Sequence, residues 1–147
     1  MRRADVRARG FTLVEVLVVL VIVAVLALFA WPAFHTHWLR ARRVDGHLAL
    51  MQLQQHQARW RSDHPGYATA AELDAPATSP EGHYRLSVLD PDAAGYLLRA
   101  EAQGGQRADT GCAVLVLRLE QAHTSLRSHT AAGTENLEPA NRRCWSR

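Results

Sequence analysis

Glu15 makes the strongest chemical demand in this chain. It stands five positions into a run of 24 residues, Phe11 to Phe34 (FTLVEVLVVLVIVAVLALFAWPAF), in which only Thr12, Glu15 and Pro32 are not plainly apolar. A carboxylate in a membrane helix costs about 2.5 to 3.5 kcal/mol at mid-depth and less near the interface. Such a group needs either water or a cation. Glu15 therefore has two roles open to it: resting in the headgroup layer, where it favours the positive end of a helix dipole, or pairing with a positive charge brought by a partner. Cys112 and Cys144 are the second chemical feature, with free thiols, metal ligation or a disulfide as their options. They lack the C-x-x-C spacing of a zinc site. The eight histidines (35, 37, 47, 56, 64, 83, 123 and 129) invite a metal reading. Helical ligands need a spacing of three or four, and His35 and His37 point to different faces, so no metal site is expected. No nucleophile elbow, phosphate loop or paired-carboxylate motif occurs, and neither an enzyme nor a cofactor is expected.

The charges of the chain sort by position. Among 147 residues there are 17 basic side chains, all Arg, against 14 acids, and the formal charge is +3. The first ten residues, MRRADVRARG, hold Arg2, Arg3, Arg7 and Arg9 with Asp5, and without them 13 of each sign remain. Basicity belongs to this leader, so DNA as a partner gains no support from the net charge of the rest. Arg40, Arg42 and Arg43 follow the apolar run, where lipid headgroups are their simpler partners.

The elements that must position these groups read clearly in the first half. As a helix, the 24-residue run extends roughly 36 Å, enough to span a hydrocarbon core of about 30 Å. A cleavable secretory signal is the alternative, but the run exceeds the usual ~7 to 15 residues, and a cut after Ala33 would put Trp31 three residues upstream. Pro32 lacks an N–H and clashes with the preceding turn, which predicts a kink or local melting over residues 28–32. Residues 36–62 are apolar on two sides: Ala41, Val44, Leu48, Met51 and Ala58 on one, Leu39, Ala49, Leu50, Leu53 and Trp60 on another. Such a helix needs two partners, a sheet and a neighbouring helix, unless both sides are buried in its own domain. Gly46 makes its course less secure by about 1 kcal/mol. His64-Pro65-Gly66 ends it.

Residues 65–82 read as a loop with a short helical turn at 70–73, followed by strands at 83–89, 96–102 and 112–119, the first two an antiparallel pair across Asp90-Pro91-Asp92. The last 28 residues read as irregular and polar, and Arg118, Arg127, Arg142 and Arg143 flank them with His123 and His129 as a weak basic cluster opposed by Glu120, Glu135 and Glu138.

The string Gly10-Phe11-Thr12-Leu13-Val14-Glu15, after a basic leader and before an apolar run, resembles the signal of type IV prepilins. Gly66-Tyr67-Ala68-Thr69, residues 84–88, Gly95-Tyr96-Leu97-Leu98-Arg99-Ala100, residues 106–112 and the closing Cys144-Trp145 are similar to PilE-type minor pilins. The resemblance implies an α+β type IV pilin fold: a long N-terminal helix, first transmembrane and then amphipathic, packed on a small antiparallel sheet with a C-terminal disulfide-bounded loop. It implies a leader at 1–10, a transmembrane half of the helix at 11–34, an amphipathic half at 35–64 and a periplasmic domain at 65–147. A prepilin peptidase would cut between Gly10 and Phe11 and methylate Phe11. Glu15, beside Thr12, would dock on the Phe11 amine of a neighbouring subunit. In an oxidising periplasm Cys112 and Cys144 would form one disulfide.

Expected partners are other pilins, the peptidase and the inner-membrane assembly machinery. The expected location is a single pass of the inner membrane, N terminus cytoplasmic, and then the pilus surface. The expected function is that of a minor pilin serving assembly and pilus-dependent twitching, adhesion or DNA uptake. A pseudopilin of type II secretion, or a pilus-borne DNA or surface receptor, is the alternative, and the disulfide with its Cys-Trp ending favours the pilus. Between residues 119 and 143 the Gly-containing hairpin usual after the third strand is replaced by EQAHTSLRSHTAAG, which leaves a fourth strand without a signal.

Overall fold

The computed structural model describes residues 11–146, with the side chains of Ala30, Pro32 and Ala33 outside the description. The chain divides into two compact units between His35 and Thr36. Helix α1, Leu13–Asp63, contributes to both.

In the first unit the side chains of Leu13 to Phe29 are exposed throughout, Leu17 at 55% and Phe29 at 79%. Neither Leu13–Phe29 nor Phe34–Asp63 alone is long and apolar enough to cross a membrane, although the two together reach that length and composition. The kink expected at Pro32 falls beside side chains outside the described set.

The second unit is built by α1 from Thr36 onward and four strands: β1 Tyr84–Leu89, β2 Gly95–Ala102, β3 Val114–Glu120 and β4 His123–His129. They form one antiparallel sheet in the order β1-β2-β3-β4. The two stripes of α1 separate as their spacing predicts. Ala49, Leu50 and Leu53 enter the core with Tyr84 and Leu86 of β1, Tyr96, Leu98 and Ala100 of β2, and Leu115 and Leu117 of β3. Val44, Leu48 and Met51 stay 40–51% exposed on the other side. Gly46 does not interrupt the helix. A Cβ there would come within 3.0 Å of the Tyr84 ring and 3.1 Å of Leu115, so the missing side chain lets helix and sheet approach.

Polar clamps complete the packing. The buried Asp45 carboxylate accepts hydrogen bonds from the Ser79 hydroxyl and the Glu81 and His83 amides. Gln57 bonds both the N–H and the C=O of Ala68, and Gln106 Nε2 donates to the Leu39 carbonyl and the Tyr84 hydroxyl. Burial pushes the Tyr84 phenol far above its ordinary range, although the Gln106 bond opposes this. Burial likewise raises the Tyr96 phenol, to about 12. Every such bond satisfies a group that would otherwise be buried without a partner, at a cost of about 1 to 3 kcal/mol.

Residues 70–74 form the short helical turn expected, with the Leu73 amide donating to the Thr69 carbonyl. The second half corrects one expectation. The region beyond residue 119 is not irregular: it holds strand β4 and a short helix α2, Ala140–Trp145. Strand β4 follows β3 through a two-residue turn in which Gln121 and Ala122 both have positive φ, 48° and 66°. Asn or Gly normally fills such positions, and their absence hid the hairpin.

Part of each sheet edge is occupied by the chain itself. Along β1, Thr78 bridges to Arg85, and the Leu86 amide donates to the Ala77 carbonyl. Along β4, His129 bridges to Glu135, the Asn136 amide donates to Ser128, and Asn141 and Trp145 donate to the Leu126 and Arg127 carbonyls. Cys112 and Cys144 form the disulfide, with Cα atoms 5.5 Å apart, and tie the C-terminal segment to the start of β3.

Candidate functional site

At the N-terminal end of α1, the Thr12 hydroxyl accepts the Glu15 amide at 3.2 Å, an N-cap bond that leaves the Glu15 carboxylate free. Among the described residues this carboxylate has no partner in its own chain. Phe11 is 81% exposed. Thr12, grouped with Glu15 for docking, thus has an intramolecular task of its own, and Gly10 lies outside the described residues.

The outward face of the sheet carries a second arrangement. Strand alternation sends Leu97 and Arg99 of β2, Val114, Val116 and Arg118 of β3, and Arg127 and His129 of β4 away from the core. Register sets Arg99 beside Val116 and Val116 beside Arg127. The result is a shallow groove of about 410 Å³ with an apolar floor, Leu97, Val114 and Val116, and a rim of three arginines. Each arginine also meets an acid: Arg99 with Glu101 at 3.2 Å, Arg118 with Glu120 at 3.2 Å and Arg127 with Glu135 at 2.8 Å. These pairs are about half exposed, so each contributes about 0 to 1 kcal/mol and yields readily to a stronger anion. Arg99 Nε and His129 Nδ1, both on groove residues, are shut off from solvent with no hydrogen-bond partner.

The basic cluster expected around the disulfide is therefore divided. Arg118, Arg127 and His129 join Arg99 at the groove, while Arg142 and Arg143 lie on α2, where Arg142 meets Glu138 at 3.5 Å. Arg99, Leu97 and Val116 were not anticipated, although the strand alternation already put Arg99 and Arg118 on the polar phase. A buried ion pair also went unforeseen. Arg43 Nε and Nη2 grip both Asp109 oxygens at 2.6 and 2.8 Å, and its Nη1 donates to the Arg143 carbonyl. Arg43 is thus held within the protein, and Arg42 stacks over Trp38 at 5.1 Å.

A long N-terminal helix with a bare apolar half, set on a four-stranded antiparallel sheet and closed by a C-terminal disulfide, defines a type IV pilin fold. Residues 6–31 match the prokaryotic N-terminal methylation motif. Residues 32–116, more than half of the chain, match the family described as type IV minor pilin ComP, DNA uptake sequence receptor, and the chain belongs to that family. No curated protein matches the sequence. The protein is a type IV minor pilin with a prepilin-type N terminus, processed at the inner membrane and assembled with other pilins into the pilus.

Proposed function

We propose that this minor pilin is the pilus subunit that holds duplex DNA for uptake, and that the outward groove of its sheet is the contact. The observation that carries this reading is the groove itself, where Arg99, Arg118 and Arg127 ring an apolar floor. Phosphates exchange with the exposed Glu partners, and sugar or base edges cover Leu97 and Val116. With 13 charges of each sign beyond the leader, long-range attraction is weak and the grip depends on these contacts. The role is that of a structural and binding subunit, without catalysis.

The route to the pilus follows from the N terminus. A prepilin peptidase cuts between Gly10 and Phe11 and methylates the Phe11 amine. Residues 11–34 hold the chain in the inner membrane, kinked at Pro32, with the domain from residue 65 onward in the periplasm. The assembly machinery then extracts the subunit, and Glu15 docks on the Phe11 amine of its neighbour.

The test is binding of a duplex oligonucleotide to the purified chain over a salt series. Log affinity should fall with log salt by about 0.9 for each phosphate contacted, and Arg99→Ala, Arg118→Ala and Arg127→Ala should each flatten the slope by about 1. A slope that none of the three changes would rule out the groove. Intact mass of assembled subunits should give a chain starting at Phe11 with one added methyl group.

A further inference from the structure

A separate cleft opens between α1 and the C-terminal segment. Its volume is about 740 Å³, and His37, Arg40 and Val44 form one wall while Ala140, Arg143 and the Cys112–Cys144 disulfide form the other. Among the described residues no Asp or Glu lines it. Arg43 joins the walls, through its grip on Asp109 and its bond to the Arg143 carbonyl at 2.9 Å, and its charge is neutralised there. Arg40 and Arg143 differ from it. Both are exposed, and neither has an acidic partner among the described residues. The cleft thus offers two uncompensated guanidinium groups, a histidine and an apolar floor of Val44, Ala140 and the disulfide.

A ligand matching that surface is an amphiphile with an anionic head, because a free phosphate leaves the apolar floor uncovered. A duplex suits the open groove of the sheet better than a cleft between two helices. His37 and Arg40 come three and six residues after Phe34, where the apolar run ends. We infer that this cleft holds the phosphate and first methylenes of one anionic phospholipid while the chain waits in the inner membrane. The phosphate bridges Arg40 and Arg143, and the glycerol end of the acyl chains lies on Val44 and Ala140. The inference rests on the reading that residues 11–34 hold the chain in the membrane, and it gives the subunit a bound lipid that must be shed or carried along when the filament forms.

The test uses the full chain reconstituted into phosphatidylcholine vesicles with and without phosphatidylglycerol. Flotation with phosphatidylcholine alone examines the membrane reading by itself, and a chain that fails to float overturns that reading. For the lipid site, native mass spectrometry of the chain released from equal mixtures should show phosphatidylglycerol retained about tenfold over phosphatidylcholine. Arg40→Gln with Arg143→Gln should abolish the preference, and Arg59→Gln, an exposed arginine outside the cleft, should preserve it. Resistance of both cysteines to alkylation verifies that the double variant keeps its fold. Equal retention of the two lipids by a chain that floats overturns the site. So does displacement of phosphatidylglycerol by millimolar inorganic phosphate or by a duplex oligonucleotide.

Discussion

Residues 13–29 and residues 39–57 belong to one helix, yet they stand in opposite relations to the rest of the protein. Among the described residues the first stretch buries none of its large apolar side chains: each is about half exposed or more. The second sends Leu39, Ala49, Leu50 and Leu53 inward while Val44, Leu48 and Met51 face out. Helical hydrogen bonding is local and forms in both. What gives each half a definite place differs: lipid or sister helices for the first, a sheet from the same chain for the second. A mutation in the first half should therefore register in assembly, and one on the inward stripe of the second in stability.

Glu15→Val is the sharpest way to break this contrast. The variant is more apolar, so it should insert, be processed and fold its sheet domain, yet be absent from sheared pili, because a neighbour's Phe11 amine is left buried without a counter-charge. Incorporation at the wild-type level would show that the carboxylate serves only the headgroup layer. Arg43→Ala lies at the other extreme. It leaves Asp109, 7% exposed, as a buried carboxylate without its cation, and urea unfolding of the sheet domain should lose about 3 to 5 kcal/mol. Cys144→Ser opens a loop with a sequence separation of 32 and should cost about 3 to 4 kcal/mol in the same assay.

Within the second half, a matched pair sharpens the comparison further. Leu50→Ala empties a fully buried site and should cost about 3 kcal/mol, whereas Leu48→Ala, two residues away and half exposed, should stay within about 0.5 kcal/mol and weaken pilus incorporation instead. The smallest expected effect is a gain. Gln121→Asn with Ala122→Gly supplies residues suited to the two positive φ angles and should raise stability by about 1 kcal/mol, read as a higher urea midpoint at constant slope.

That last variant also explains what the sequence concealed. The two stripes of α1 were legible because 3.6-residue periodicity survives in the residues themselves, β1 because Tyr84 and Leu86 alternate with polar neighbours, and β2 and β3 because their apolar runs, YLL and VLVL, lie between turn and glycine breaks. Strand β4, HTSLRSH, contains one leucine, and it is half exposed at 42%. Its place is set by pairing with β3 and by backbone and side-chain bonds from residues 135–145, none of which leaves a hydropathy signature. The Arg43–Asp109 pair spans 66 residues with no local pattern to announce it. Half of the groove was readable as the outward phase of β2 and β3. The half that depends on β4 was not.

The occupied edges of the sheet have a consequence for life at high density. A pilus packs many pilin domains side by side, which are the conditions under which an open strand recruits another and a cross-β aggregate grows. Here Ala77 and Thr78 fill one border, and Glu135, Asn136, Asn141 and Trp145 fill the other. Over residues 84–86 at one border and 126–129 at the other, strand-to-strand polymerisation meets no vacant template among the described residues. The same backbone bonds that close a small domain thereby keep an ordered fibre from becoming an amyloid one.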